Sequence, residues 1–160
     1  MVLKIIVAIS GEGLIGKEGR LPWRIGEDMK LFRELTFGHT VIMGRKTFES
    51  IPEKFRPLVG RKNIVVSSCD IDFEGVDFCK SVGEALKRAS SFNRDVFFIG
   101  GKGIYNEALG LVDELCISHV KKDYEGDVYF PFVDFKEWGV VEEREFEEFV
   151  FKKYRRKREG

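Results

Sequence analysis

A chain of 160 residues and 18.4 kDa, with 27 basic against 27 acidic side chains, has room for one hydrophobic core and no second one. Hydrophobic residues at 43% exclude a disordered chain, no apolar run nears the roughly 18–20 residues of a membrane helix, and zero net charge argues against a nucleic-acid or anionic-membrane partner. Three cysteines without a CxxC spacing suit reduced thiols, and a start without a signal-peptide pattern predicts a cytoplasmic protein, expected as a monomer rather than a homodimer.

Residues 3–9 (LKIIVAI) form a near-continuous apolar run, which predicts a strand buried on both faces. Residues 10–25 fit neither the helical nor the strand period and read as a long loop, a feature that in compact domains is usually functional. Apolar positions at helical spacing predict a helix over 27–36. The strand signal returns at 40–43 (TVIM), 63–66 (NIVV), 96–99 (VFFI) and 115–120 (LCISHV). A short helix is expected to open at Gly44-Arg45-Lys46-Thr47. Ser81-Val82-Gly83-Glu84 is a capping box that starts a helix running to Ser91, and 103–109 reads as another helix. Residues 140–146 and 149–154, joined by Glu147-Glu148, predict a C-terminal antiparallel hairpin at a sheet edge. The pattern is that of a single α/β domain: a central mixed, mostly parallel sheet of about eight strands, flanked by about four helices and ending in the hairpin.

Gly11-Glu12-Gly13-Leu14-Ile15-Gly16 is a literal GxGxxG directly after a buried strand. A dinucleotide fingerprint needs a helix to begin there, so that its N-terminus holds the pyrophosphate. Gly19 and Pro22 forbid that helix, the proline because it lacks an N–H and its ring clashes with the preceding turn. Gly11, Gly13, Gly16 and Gly19 are therefore read as mobile-loop glycines.

Three other strand ends make better phosphate cradles: Gly44-Arg45-Lys46-Thr47, Ser67-Ser68 and Gly100-Gly101-Lys102-Gly103. Open α/β sheets bind ligands outside the carboxyl ends of their strands, where helix N-termini offer unpaired N–H groups. Each alone is also what an ordinary strand–turn–helix corner looks like. Together, two of them with basic residues and no acidic ribose holder, they favour a phosphorylated ligand, and NADP over NAD.

At 100° per residue, the helix over 27–36 places Asp28, Leu31, Phe32 and Leu35 on one stripe, while Lys30, Arg33 and Glu34 point away. A first-turn acid gains about 0.3–1 kcal/mol from the helix dipole. Leaving a carboxylate unpaired on a buried face costs more than that, and no cation shares the stripe. Two readings stay open. Asp28 bends out to water, or a ligand presents N–H groups to it, as an amidine-like edge does with two parallel hydrogen bonds.

In order along the chain, Ile15-Gly16, Leu21-Pro22-Trp23, Asp28, residues 41–51 (VIMGRKTFESI), Gly60-Arg61-Lys62-Asn63, Ile99-Gly100-Gly101 with Tyr105, and Glu125-Gly126-Asp127 before Phe130-Pro131 resemble the dihydrofolate reductases from about residue 3 to residue 155. The resemblance implies that family's fold and its reduction of 7,8-dihydrofolate to tetrahydrofolate by hydride transfer from NADPH, in support of one-carbon metabolism. It implies that Asp28 holds the 2-amino group and N3 of the pterin and supports protonation at N5 through water, backed by Ser118. It counts Leu21, Trp23 and Tyr105 with Asp28 as catalytic residues. Phe32, Ile51 and Leu58 become walls of the substrate cleft, and Ile6, Val7 and Ile99 surround the pterin. Arg61, which by itself reads as a solvated loop charge, becomes the holder of the glutamate α-carboxylate, a bidentate task suited to guanidinium.

For NADPH the resemblance implies Ala8, Ile15 and Gly16 at the nicotinamide, and Gly44, Arg45, Lys46 and Thr47 at the phosphates. Ser67, Ser68, Gly100, Gly101, Lys102, Gly103 and Ile104 complete the cofactor set, with a cis peptide between the two glycines. Residues 13–23 match a lid and Gly126-Asp127 its docking loop. Two departures stand out. Pro52-Glu53-Lys54-Phe55-Arg56 lengthens the segment before Pro57-Leu58. Lys102 stands where many members carry arginine, so the 2′-phosphate contact falls to Lys102 or Lys46. The runner-up is a relative on the same fold, the riboflavin-pathway reductase domain, for which neither Asp28 nor Arg61 is expected. With His39 and His119 the only histidines, and no HExxH or clustered cysteines, no metal site is expected. His119 is read as a packed or edge histidine, Cys116 as an inert thiol in an apolar strand, and the basic stretch 152–158 as a solvated strand end and frayed terminus.

Overall fold

The computed structural model describes residues 1–16, 23 and 25–157. Its elements run β1 (Leu3–Ser10), β2 (Leu14–Gly16), α1 (Gly26–Thr36), β3 (Thr40–Gly44), α2 (Arg45–Ser50), β4 (Lys62–Val66), β5 (Val76–Cys79), α3 (Val82–Ser90), β6 (Val96–Phe98), α4 (Lys102–Ala108), β7 (Glu114–Val120), β8 (Val128–Tyr129), β9 (Trp138–Glu145) and β10 (Phe149–Arg156). Single 3-10 turns occupy Glu53–Phe55 and Phe135–Glu137.

The main sheet has the order β5-β4-β3-β6-β1-β7-β10-β9. Its first six strands are mutually parallel, and β10 lies antiparallel between β7 and β9. This matches the expected mixed, mostly parallel sheet. Two short strands are additional: β2 pairs antiparallel with the end of β1, and β8 pairs with β2.

Side chains alternate across the sheet, as strand geometry requires. Ile5, Val7 and Ile9 of β1 join Ile42, Ile64, Phe98 and Ile117 in a cluster covered by Val82 and Ala85 of α3 and by Ile104 and Ala108 of α4. Ile6, Val41, Met43, Val65, Phe97, Cys116, Phe149 and Phe151 face the opposite way, towards Leu31 of α1 and Phe48 of α2. Both faces being buried explains the continuous apolar runs, since each fully buried side chain of this kind contributes about 1.5–3 kcal/mol.

Residues 10–16 correct the loop reading. Gly13 N–H donates to Ser10 O at 3.1 Å, and Gly11 and Gly13 have φ of +52° and +111°, so the GxGxxG stretch is a tight turn into β2 rather than a free loop. Gly19 and Leu21 lie outside the described residues. The capping box also departs from its pattern. Ser81 Oγ accepts from Glu84 N–H at 3.1 Å as expected, but Glu84 accepts from Lys80 N–H, one residue upstream of the cap.

At the C-terminus both hairpin strands are eight residues long and turn through stacked Phe146 and Phe149 rings. The basic stretch there is not simply solvated. Lys152 and Lys153 face Glu143 and Glu142 across the hairpin, and Arg155 pairs with buried Glu114 at 2.9 Å. Arg156 lies over the Trp138 ring and donates to the carbonyls of Val112 and Leu109, closing the end of α4.

Candidate active site

The carboxyl ends of β1, β3, β4, β6 and β7 open on one edge of the sheet, and most of the expected site residues gather there. Asp28, in the first turn of α1, turns towards the sheet. Its Oδ1 accepts from Ser118 Oγ of β7 at 2.7 Å, and among the described residues no cation pairs with it. Burial pushes its carboxyl above the usual range and the Ser118 hydroxyl pulls it part of the way back. Asp28 has therefore not bent out to water.

Around it, Ala8, Phe32, Ile51, Leu58 and Ile99 are half-buried and lean on the same cluster that contains Ile6 and Trp23. Each has an apolar flank left over for something else to cover. Val7 differs, because its side chain joins the opposite cluster and only its backbone faces this edge. Tyr105 also approaches from the other face: its hydroxyl donates to Ile6 O at 3.0 Å, its ring packs on Phe130, and burial raises its pKa strongly. Trp23 packs on Tyr124 at 5.3 Å between ring centres, and its Nε1 is buried without an acceptor among the described residues.

Beyond the far end of α1, Arg61 is half-buried. Nε donates to Val59 O at 2.9 Å and Nη1 to Thr36 Oγ1 at 3.2 Å. Burial and the neighbouring charge of Arg33 lower its pKa. Thr36 and the buried amide of Asn63, which binds the backbone of Leu58 and Arg61, support this corner. The supporting role of neither is legible from spacing, because a polar residue closing a helix or sitting in an apolar strand carries no periodic signal. The lengthened segment before Leu58 folds as the 3-10 turn at Glu53–Phe55, and Arg56 anchors it by donating to the carbonyls of Ile51 and Glu49.

The second half of the edge is a glycine corner. Gly44 N–H donates to Gly100 O at 2.8 Å, and the Gly100–Gly101 peptide is cis. A Cβ on Gly100 would sit 3.2 Å from the Tyr105 ring, and one on Gly101 3.5 Å from Thr47 Oγ1. From this corner α2 and α4 both start without a side-chain cap, so the helices themselves leave their first N–H groups unused. Thr47 is half-buried and Ile104 buried, while Lys46, Lys102 and Gly103 are exposed. Arg45 pairs with Glu49 at 2.8 Å. Ser67 is buried and its hydroxyl is occupied by the backbone of Cys69. Exposed Ser68 is tied through its carbonyl to Lys80 Nζ, a partner that sequence spacing did not reveal.

Ile15 is buried on the α3–α4 side, and Gly16 O accepts from Asp127 N–H at 3.1 Å. Gly126 lies so close to Gly16 O that a Cβ there would stand 2.4 Å from it. The expected lid start and docking segment thus touch through backbone, with β2 and β8 pairing beside them.

A carboxylate and a glycine corner stand at the carboxyl edge of the sheet, a guanidinium lies beyond the end of α1 just before β4, and comparison with known proteins identifies the pattern. The family described as dihydrofolate reductase matches residues 2–157. The dihydrofolate reductase of Bacillus subtilis (strain 168) is 39% identical over 141 residues, 88% of this chain and 82% of that protein. That of Buchnera aphidicola subsp. Acyrthosiphon pisum (strain APS) is 41% identical over 131 residues, covering 82% and 80%. The solved structure of dihydrofolate reductase from Enterococcus faecalis complexed with NADP(H) and RAB-propyl matches with a TM-score of 0.86 and 34% identity, over 97% of this chain and 96% of that one. Nearly the full length of the chain thus carries one family's sequence pattern and one family's fold, and the protein belongs to the dihydrofolate reductase family of oxidoreductases.

Proposed function

We propose that this chain reduces 7,8-dihydrofolate to 5,6,7,8-tetrahydrofolate with NADPH, supplying reduced folate for one-carbon metabolism. The observation that carries the reading is Asp28: a carboxylate turned into an apolar cleft, with Ser118 as its only hydrogen-bond partner among the described residues. With Oδ1 held by Ser118, Oδ2 remains to accept from the 2-amino group and N3 of a pterin. A carboxyl raised by burial keeps its proton to higher pH, which suits a group that supports protonation at N5 through water. Phe32, Ile51, Leu58 and Ile99 supply the apolar walls, and Arg61 takes the glutamate α-carboxylate.

The residues fit the cofactor. At Gly44, Gly100 and Gly101 no side chain fills the corner, and each Cβ would approach a neighbour at 3.2–3.5 Å. The starts of α2 and α4, with Arg45, Lys46, Thr47 and Lys102, suit the phosphates of a dinucleotide, and Ser68 with Lys46 or Lys102 suits the 2′-phosphate. Ala8, Ile15, Gly16 and the backbone up to Ile104 line the remainder. NADPH, when bound, supplies the hydride. Residues 13–23 act as the lid that excludes water over the reacting rings, a role supported by the contact of Gly16 with Gly126 and Asp127.

The test is the loss of reduced-nicotinamide absorbance with purified protein, NADPH and dihydrofolate, with and without an antifolate. Dihydrofolate-dependent oxidation of NADPH, blocked by the antifolate, is expected. NADPH binding without turnover would overturn the choice of substrate.

A further inference from the structure

Asn63 sits in β4, a strand whose other inward positions are apolar, and is only 3% exposed. A buried amide is tolerated where its hydrogen bonds are made. Here all three go to a single turn. Oδ1 accepts from Leu58 N–H at 2.9 Å, while Nδ2 donates to Leu58 O at 2.9 Å and to Arg61 O at 3.0 Å. The amide grips Leu58 by both of its backbone groups, and a flipped amide would set oxygen against oxygen.

The other side of this turn is held by the end of α1. Gly38 N–H donates to Gly60 O at 2.8 Å. Thr36, fully buried, donates its one hydroxyl hydrogen to Phe32 O at 2.7 Å, which leaves its lone pairs for Arg61 Nη1 at 3.2 Å. With Nε on Val59 O, the guanidinium is fixed at two corners, and Nη2 has no acceptor among the described residues. Two of its five N–H groups are used, which leaves one on Nη1 and both on Nη2, enough for the outer end of the fork to meet a carboxylate. Asp28 and Phe32 ride on the same helix that anchors this arrangement.

We infer that Asn63 and Thr36 are positioning residues that set the distance between the carboxylate of Asp28 and the free fork of Arg61, and so select substrates whose own carboxylate lies one fixed span from the ring. The inference rests on the reading of Arg61 as the holder of the substrate carboxylate. Both side chains are buried and make their hydrogen bonds within the protein. They act on the turn that carries Leu58 and Arg61.

The experiment compares dihydrofolate with a dihydropterin bearing a methyl group in place of the aminobenzoyl-glutamate tail, in wild type, Asn63→Asp, Thr36→Val and Thr36→Ser. Asn63→Asp keeps the shape and loses both donors to Leu58 and Arg61. Thr36→Val keeps the volume and loses the acceptor, which Thr36→Ser restores. The expected result is a KM for dihydrofolate raised on the order of tenfold or more in the first two variants. Their kcat and their KM for the tailless dihydropterin should stay within about twofold of wild type, with Thr36→Ser returning KM towards wild type. Should Asn63→Asp fail to fold, the Thr36 pair decides. Equal losses on both substrates would reduce the two residues to structural ones, and an unchanged KM ratio in Thr36→Val would remove the positioning role. If wild type itself shows no preference for the tailed substrate, the assignment of Arg61 falls, and this inference with it.

Discussion

Replacing Asp28 by asparagine separates what the carboxylate does for chemistry from what it costs the fold. Asp28→Asn keeps an oxygen to accept from Ser118 Oγ, now 2.7 Å from Oδ1. It puts an NH2 group where Oδ2 stood, so the pterin's donors meet a donor. Hydrogen bonds to a charged group contribute about 1.5–3 kcal/mol each, and two are lost. Loss of a positioned acid contributes a further factor of about 10²–10⁴. The expected fall in kcat/KM for dihydrofolate at neutral pH is therefore at least on the order of 10²–10⁴, with NADPH affinity unchanged. Stability should move the other way. The native carboxyl is raised above its ordinary 3.8, so between that pH and the native value the folded state holds more protons than the unfolded state. Wild-type stability thus falls as pH rises through this window, and the penalty persists above it. The asparagine variant carries no such penalty. It should equal or exceed wild type in denaturant unfolding at neutral pH, the advantage disappearing below pH 3.8. Turnover within about tenfold of wild type, or a variant less stable at neutral pH, would refute the reasoning.

Ser118→Ala removes the bond that lowers the Asp28 carboxyl, so the pH–rate profile should shift to higher pH and stability fall by about 1 kcal/mol, read from steady-state kinetics across pH and urea unfolding. Gly126→Ala places a Cβ 2.4 Å from Gly16 O and 2.7 Å from Leu14 Cδ1, and backbone cannot yield as a side-chain tip does. It should cost about 1–3 kcal/mol in thermal unfolding and lower kcat by detaching the lid's docking segment. Ser81→Ala removes the α3 cap and should cost about 1 kcal/mol in thermal unfolding while leaving kcat and the KM for dihydrofolate at wild type.

The parallel core was legible because β1, β3, β6 and β7 are buried on both faces and read as unbroken apolar runs. Val76–Cys79 has no such signature: only Cys79 is fully buried, and a short edge strand with Asp77 in it carries no apolar run. Leu14–Gly16 and Val128–Tyr129 were equally invisible, since strands of two or three residues depend on partners distant in the chain. Asp28 stood out because a charge on an apolar stripe is a local contradiction, visible without any fold. Its partner Ser118 is 90 residues away and came from the family resemblance alone, as did the role of Arg61. The hydroxyl of Thr36 and the amide of Asn63 became meaningful only once the turn between them had a shape.

The order of strands also governs how the protein is made. β1 lies at the middle of the sheet, between β6 and β7, with Leu3 registered on Val96 and Lys4 on Glu114. Neither neighbour exists when β1 leaves the ribosome, and β3, β4 and β5, though they pair with one another, reach β1 only through β6. Long-range parallel pairing of this kind delays the reward for closing large loops. The apolar stretch Leu3–Ser10 thus stays unpaired through most of synthesis, which makes the beginning of the chain the segment most dependent on its end.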